Sequence, residues 1–160
     1  MRLAYPLAVD LEVINACNLA CQHCMVDSHK QPAPNLLGLN EIQSLMDELA
    51  DNGVASISIT GGEPFLRSDL REIVKYAANR NFAIQISTNG ILLDDDILPV
   101  LTDERVLVNV SIDGATAETH DLIRGRKGTF DKVCANIKRM VASGVNVRTE
   151  TTLMMYNVNQ

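Results

Sequence analysis

Residues Val54–Pro64 read VASISITGGEP. A β-branched apolar run, Val54–Thr60, is stopped by two glycines and a proline. Such a run bounded by turn residues reads as a strand. Helix-period segments lie on either side of it. Before it, Glu41–Asp51 sets Ile42, Leu45, Met46 and Leu49 on one face. Asn40 is the predicted N-cap, Gln43 follows three residues on, and Gly53 stands past the end. After it, Ser68–Asn79 turns Leu70, Ile73, Val74 and Ala77 inward. A strand flanked by two helices is half of a βαβ unit, and the rest of the chain repeats the rhythm. Further strands are expected at Leu7–Ile14, Phe82–Ser87, Val106–Ile112 and Val145–Leu153. Further helices are expected at Asp94–Leu101, interrupted by Pro99, and at Thr129–Ser143, ended by Gly144. The last turns Phe130, Val133, Ile137, Met140 and Val141 inward. Strands alternating with helices imply right-handed crossovers and an α/β fold, a parallel sheet covered by helices. Near-continuous apolar strands suit that burial.

The chain has 160 residues, about one domain's worth, with 46% apolar residues and no Trp. Its core is therefore built mostly from Val, Ile, Leu and Met. The net charge of −6 argues against nucleic acid or an anionic membrane as the main partner. No apolar run approaches the length of a membrane span. The first residues, MRLAYPLAVDLEV, lack the apolar core and cleavage site of a signal peptide. A reducing cytoplasmic compartment is expected, where closely spaced cysteines are metal ligands or catalysts rather than disulfides.

The connection from the first strand to the first helix, about Asn15 to Leu39, exceeds the usual ~2–6 residues of a βα loop. It holds CNLACQHC, with Cys17, Cys21 and Cys24. The later strands run into GGEP (Gly61–Pro64), STNG (Ser87–Gly90), SIDG (Ser111–Gly114) and Met155–Asn157. Parallel strands present their C-terminal ends on one side, where ligand sites of such sheets lie. All five segments are expected to converge on one mouth, although any one cluster of Gly, Asn and Ser suffices as a turn. Three thiolates holding a [4Fe–4S] cube leave one iron open to a ligand. Cys134, between Val133 and Ile137, is expected in the core.

The quoted motifs in order, LEVINACNLACQHC, ITGGEPFLR, STNG, SIDG and HDLIRGRKGTFDKV, resemble the radical S-adenosylmethionine (radical SAM) superfamily. The likeness is to members that mature peptides and tetrapyrroles, which often carry a SPASM or Twitch extension. It covers roughly Val9 to Asn157. It implies a partial TIM barrel, a (β/α)6 fold of which about five strands are present. Residues 1–160 would then be a radical SAM core domain, incomplete at its C-terminus, with an exposed edge after the fifth strand. In the family, reduction of the cluster cleaves S-adenosylmethionine (SAM) to methionine and a 5′-deoxyadenosyl radical, which abstracts hydrogen from substrate.

The resemblance assigns roles residue by residue. Cys17, Cys21 and Cys24 are the cluster ligands. His23 packs on adenine or else faces solvent. Gly61 and Gly62 let backbone approach the ligand, Pro64 rigidifies the turn, and Glu63 belongs to the stretch meeting the methionine amino group. Ser87, Asn89, Ser111 and Asp113 offer hydrogen bonds, the Asp113 carboxylate suiting a ribose diol, or else they end strands. Arg124 pairs with the SAM carboxylate or makes a surface salt bridge with Asp121. RTETTLMMYN carries no glycine, so no adenine contact is assigned there. No cysteine follows Cys134 to hold an auxiliary cluster. The implied substrate is a peptide, a tetrapyrrole or a small molecule. The implied partner is an electron donor of flavodoxin or ferredoxin type, and the open sheet edge predicts self-association. The rival readings are a structural zinc site on Cys17, Cys21, Cys24 and His29, a non-catalytic Fe–S module, and an inactive fragment.

Overall fold

The computed structural model describes residues 5–28 and 36–160. His29, a residue of the zinc alternative, lies outside them. Among the described residues, five strands and five α-helices follow in order: β1 (Ala8–Ile14), α1 (Leu39–Asp51), β2 (Ser56–Gly61), α2 (Leu70–Asn79), β3 (Ala83–Thr88), α3 (Leu98–Leu101), β4 (Val106–Ser111), α4 (Ala117–Arg124), α5 (Thr129–Ala142) and β5 (Val147–Glu150). All strands pair in parallel in the order β1-β2-β3-β4-β5. The α/β parallel sheet expected from the sequence is therefore the fold.

Burial departs from that expectation in one respect. The strands are not apolar on both faces. Leu11 and Val13, Ile57 and Ile59, Ile84 and Ile86, Val108 and Val110 are buried in the core. Between them stand Asp10 and Glu12, Ser58 and Thr60, Gln85 and Ser87, Asn109 and Ser111. Successive side chains point to opposite faces, so one face is an apolar floor for the helices. The other is polar, with Asn109 Nδ2 donating to Gln85 Oε1 at 3.3 Å.

The helices close the apolar face with Ile42 and Met46 of α1, Leu70, Ile73, Val74 and Ala77 of α2, and Val133 and Met140 of α5. Three expectations fail in detail. Helix α1 is capped at Gly38, not Asn40, because the Glu41 carboxylate reaches back to the Gly38 N–H at 2.7 Å. Val141 of α5 is exposed, and Asn136 is buried instead, its Nδ2 donating to the carbonyls of Gly90 and Ile91. Strand β5 ends at Glu150, because Thr151 Oγ1 donates to Ile112 O and the Thr152 N–H to Asp113 Oδ1. Those side-chain bonds pull the chain off the ladder.

Candidate active site

The end of β1 and the turn after it are bonded to the residues that follow β2. The Gly62 N–H donates to Ile14 O at 2.7 Å and the Glu63 N–H to Ala16 O at 2.9 Å. A Cβ on Gly61 would stand 2.0 Å from Ile14 O, and one on Gly62 2.2 Å from Ala16 O. The two glycines were expected to admit a ligand. Their first task is to admit the backbone that carries the cysteines.

Glu63 is completely buried. Its Oε1 accepts from the Phe65 N–H at 3.1 Å and from Thr88 Oγ1 at 2.7 Å, and its Oε2 from the Asn89 N–H at 2.7 Å. Burial nonetheless holds the carboxyl above the usual carboxylate range. Glu63 thus ties the GGEP turn to the end of β3, and Pro64 opens the one-turn 3-10 helix it caps. From β3, Asn89 Nδ2 donates to Asn18 Oδ1 at 2.7 Å and lies 3.9 Å from Cys17 Sγ.

The other side of the cysteine loop rests on α4, which the sequence did not announce. The Gln22 N–H donates to Ile123 O at 2.9 Å and Gln22 Nε2 to Leu122 O at 3.0 Å. Gly125 ends α4 at φ +70°, where a Cβ would meet Ala20 O at 2.4 Å. Arg124, 7% exposed, does not pair with Asp121. Asp121 instead caps α5, accepting from the N–H groups of Gly128, Thr129 and Phe130 and from Thr129 Oγ1. Arg124 Nη2 lies 2.7 Å from Asp113 Oδ2, and Nη1 donates to Cys21 Sγ at 3.7 Å.

These contacts enclose a cavity of about 210 Å³. Cys17, Cys21, Cys24, His23, Gly61, Gly62, Ser87, Asn89, Ser111 and Arg124 all line it. Glu63, Pro64 and Asp113 do not. They are fully or nearly fully buried behind the wall, Asp113 accepting from the Thr152 N–H and holding Arg124. The segment after β5 also falls short of the mouth. Met155 and Tyr156 are exposed, while Asn157 is buried and donates to Asp113 O. Cys134 is half-buried on α5 rather than in the core, and away from this wall. Asn18, Gln22, Thr88, His120 and Asn157 complete the support and were not singled out from the sequence as site residues. All five lie inside stretches quoted from the sequence, Asn18 and Gln22 within the cysteine motif, Thr88 within STNG, His120 at the head of HDLIRG and Asn157 after the last strand, but no spacing among them marked the individual residue. His120 Nδ1 accepts from the Asp113 N–H at 3.2 Å.

The thiols differ. Burial pushes Cys17 and Cys21 up, the Arg124 guanidinium opposing this at Cys21. At Cys24 burial is slight and is outweighed by hydrogen bonds from the Ser28, Val26 and Asp27 backbone, so its thiol sits below the usual value. Burial also lowers His23, which stays neutral near pH 7.

The sequence matches the Radical SAM superfamily over residues 11–160. The chain belongs to that superfamily. It is 33% identical over 155 residues to the antilisterial bacteriocin subtilosin biosynthesis protein AlbA of Bacillus subtilis, covering 96% of this chain and 34% of AlbA. It is 34% identical over 148 residues to the AdoMet-dependent heme synthase of Oleidesulfovibrio alaskensis, covering 92% of this chain and 38% of the synthase. The fold matches Streptococcus suis SuiB bound to S-adenosylmethionine with a TM-score of 0.85 at 19% identity, over 97% of this chain and 36% of SuiB. SuiB is also known with its precursor peptide SuiA. The chain thus spans between a third and two fifths of these relatives. The five-stranded sheet is the partial TIM barrel of this superfamily, whose cofactors are a [4Fe–4S] cluster and SAM.

The residues present fit those cofactors. Three thiols face one cavity, and among the described residues no three His, Cys, Asp or Glu groups stand close enough to share a single ion. A cubane does not need them to, since each thiolate meets its own iron. Arg124 Nε and His23 Nδ1 are buried without a partner, and Asp113 Oδ2 has its ion contact but no aligned hydrogen bond. Such atoms are costly to leave unpaired, and those of Arg124 and His23 belong to residues that line the cavity a polar cofactor would fill, with Asp113 directly behind Arg124.

Proposed function

We propose that this chain is the radical-generating core of a radical SAM enzyme whose substrate is a peptide. The observation that carries the reading is the meeting of three thiols, the glycine pair, Asn89 and Arg124 on one cavity at the C-terminal ends of the strands. Cys17, Cys21 and Cys24 would hold a [4Fe–4S] cluster and leave one iron for the amino and carboxylate groups of SAM. When bound and reduced, that cluster supplies the electron that cleaves SAM to methionine and a 5′-deoxyadenosyl radical. The protein's own work is positioning. Asn89 and Arg124 orient the thiolates, the partnerless Nε of Arg124 is free for the SAM carboxylate, and neutral His23 offers a flat face to adenine. Gly61 and Gly62 hold the cysteine loop against the sheet so that nothing bulky enters the cofactor's space. A peptide substrate is supported by the bacteriocin-biosynthesis relative and by SuiB with its precursor peptide. The heme synthase relative supports a tetrapyrrole as the second class. The electron donor is a one-electron, low-potential carrier of flavodoxin or ferredoxin type.

Anaerobic iron–sulfide reconstitution followed by EPR of the dithionite-reduced chain tests the core of this reading. A [4Fe–4S]⁺ signal that shifts on adding SAM is expected. Cys21→Ala should abolish it, while Cys134→Ala should leave it intact. A cluster insensitive to SAM, or one lost with Cys134→Ala, would overturn the three-ligand site.

A further inference from the structure

Arg124 is the one guanidinium among the described residues lining the cavity, and it is almost completely enclosed. Its three nitrogens have separate fates. Nη2 is fixed by Asp113 Oδ2 at 2.7 Å, Nη1 points at Cys21 Sγ at 3.7 Å, and Nε has no partner. Asp113 is itself held by Thr152, and its backbone by His120 and Asn157, from three separate segments. The guanidinium is therefore aimed at one thiol by a rigid assembly. Among the described residues of the cavity wall, no other brings a fixed positive charge to a sulfur. Asn89, at 3.9 Å from Cys17, offers only a neutral amide.

We propose that Arg124 is a positioning residue that sets the reduction potential of the cluster through its hydrogen bond to the Cys21 sulfur. The inference rests on the cluster-binding function proposed above. Hydrogen bonds to cluster sulfurs and nearby charge are among the determinants of Fe–S potentials. Reduction adds one electron to the cluster, from [4Fe–4S]²⁺ to [4Fe–4S]⁺, and oxidises a one-electron donor of flavodoxin or ferredoxin type. No proton transfer accompanies the step. The added negative charge is drawn toward the guanidinium, so the reduced state is favoured and the potential is raised. Asp113 would undo that effect if it lay equally close to the sulfur. Its place behind the guanidinium leaves the cation foremost.

An EPR-monitored redox titration of the reconstituted chain tests this. Replacing Arg124 alone would bare the buried Asp113 carboxylate, so the main variant is the neutral double substitution Asp113→Asn with Arg124→Gln. At a fixed solution potential its reduced-to-oxidised ratio should fall about tenfold, a shift of about 59 mV for one electron. Arg124→Lys keeps the charge and the partner for Asp113 but loses the planar fork. It should shift the potential in the same direction by less. Arg80→Gln removes a cation that pairs with Asp47 and Asp51 at the other end of the sheet and should change nothing. An unshifted potential in both Arg124 variants overturns the proposal. If the double variant holds no cluster, Arg124→Lys decides by the same criterion. Loss of the cluster in both variants overturns it in favour of a role in building the loop. Absence of any cluster in the unsubstituted chain would instead refute the function proposed above.

Discussion

Glu63 shows how far a single buried residue can differ from the role its motif suggests. The GGEP stretch that includes it was expected to meet the methionine amino group, and both oxygens of the side chain itself are taken by Phe65, Thr88 and Asn89 inside the protein. Three donors converging on a carboxylate with no exposed surface make it a strut between two loops. Glu63→Gln keeps the shape and one acceptor, but turns an NH₂ toward the Asn89 N–H or the Thr88 hydroxyl. Leaving such a donor unpaired in the interior costs about 1–3 kcal/mol. Urea unfolding should register that loss. Asn89 would also loosen its hold on Asn18, and SAM affinity should fall in parallel. A glutamine variant as stable as the parent, with SAM binding alone impaired, would return Glu63 to the ligand role. The cysteines, by contrast, meet on one cavity. Three side chains at fixed intervals in one loop need only that loop to fold inward, whereas the partners of a buried acid are set by distant segments.

At the level of elements, α4 carries the cysteine loop on the carbonyls of its last turn, and Gly125 permits the contact. Gly125→Ala would place a Cβ 2.4 Å from Ala20 O at φ +70°. Gly128, at φ +76° with nothing within 4 Å, offers a matched control. An L-residue in the left-handed region costs about 1–2 kcal/mol, so both variants should lose that much in thermal unfolding. Only Gly125→Ala should also displace the loop and lower the iron retained per chain after reconstitution. Equal iron content in the two would mean that α4 does not support the loop. The helix went unseen in the sequence for a physical reason. AETHDLIR sets Leu122 and Ile123 side by side instead of three or four apart, and Leu122 is exposed. Its ends are made by the Thr116 cap and Gly125, and its function comes from main-chain carbonyls that no side-chain pattern reports. The strands and the other helices were legible because their apolar periodicity is what buries them. The polar alternation in β1 to β4 was legible too, in Asp10, Glu12, Ser58 and Gln85, but the apolar runs masked it. The segment after β5 misled because its polar residues bond back to Asp113 and Thr152 and not to the cavity.

Across the whole molecule, the parallel sheet leaves β5 with a free side among the described residues. Asn146 O accepts from the Val108 N–H and Glu150 O from the Ile112 N–H, both at 2.9 Å. In a parallel strand a residue's N–H and C=O point the same way, and the direction alternates along the chain. Residues 146, 148 and 150 therefore face β4, while Val147 and Thr149 turn their backbone groups outward. An unpaired row of this kind templates pairing with another chain, and here it is flanked by exposed Leu153, Met155 and Tyr156. Sedimentation velocity over a concentration series should show reversible self-association of the chain. Thr149→Pro removes one outward donor without breaking a bond to β4, an edge-strand position of the kind at which proline is tolerated. It should weaken the association several-fold while shifting the unfolding free energy by no more than about 1 kcal/mol. If the proline variant associates as strongly as the parent, the contact runs through the apolar side chains beyond Glu150 and not through the strand edge. Leu153→Ser would then be the variant that disperses it.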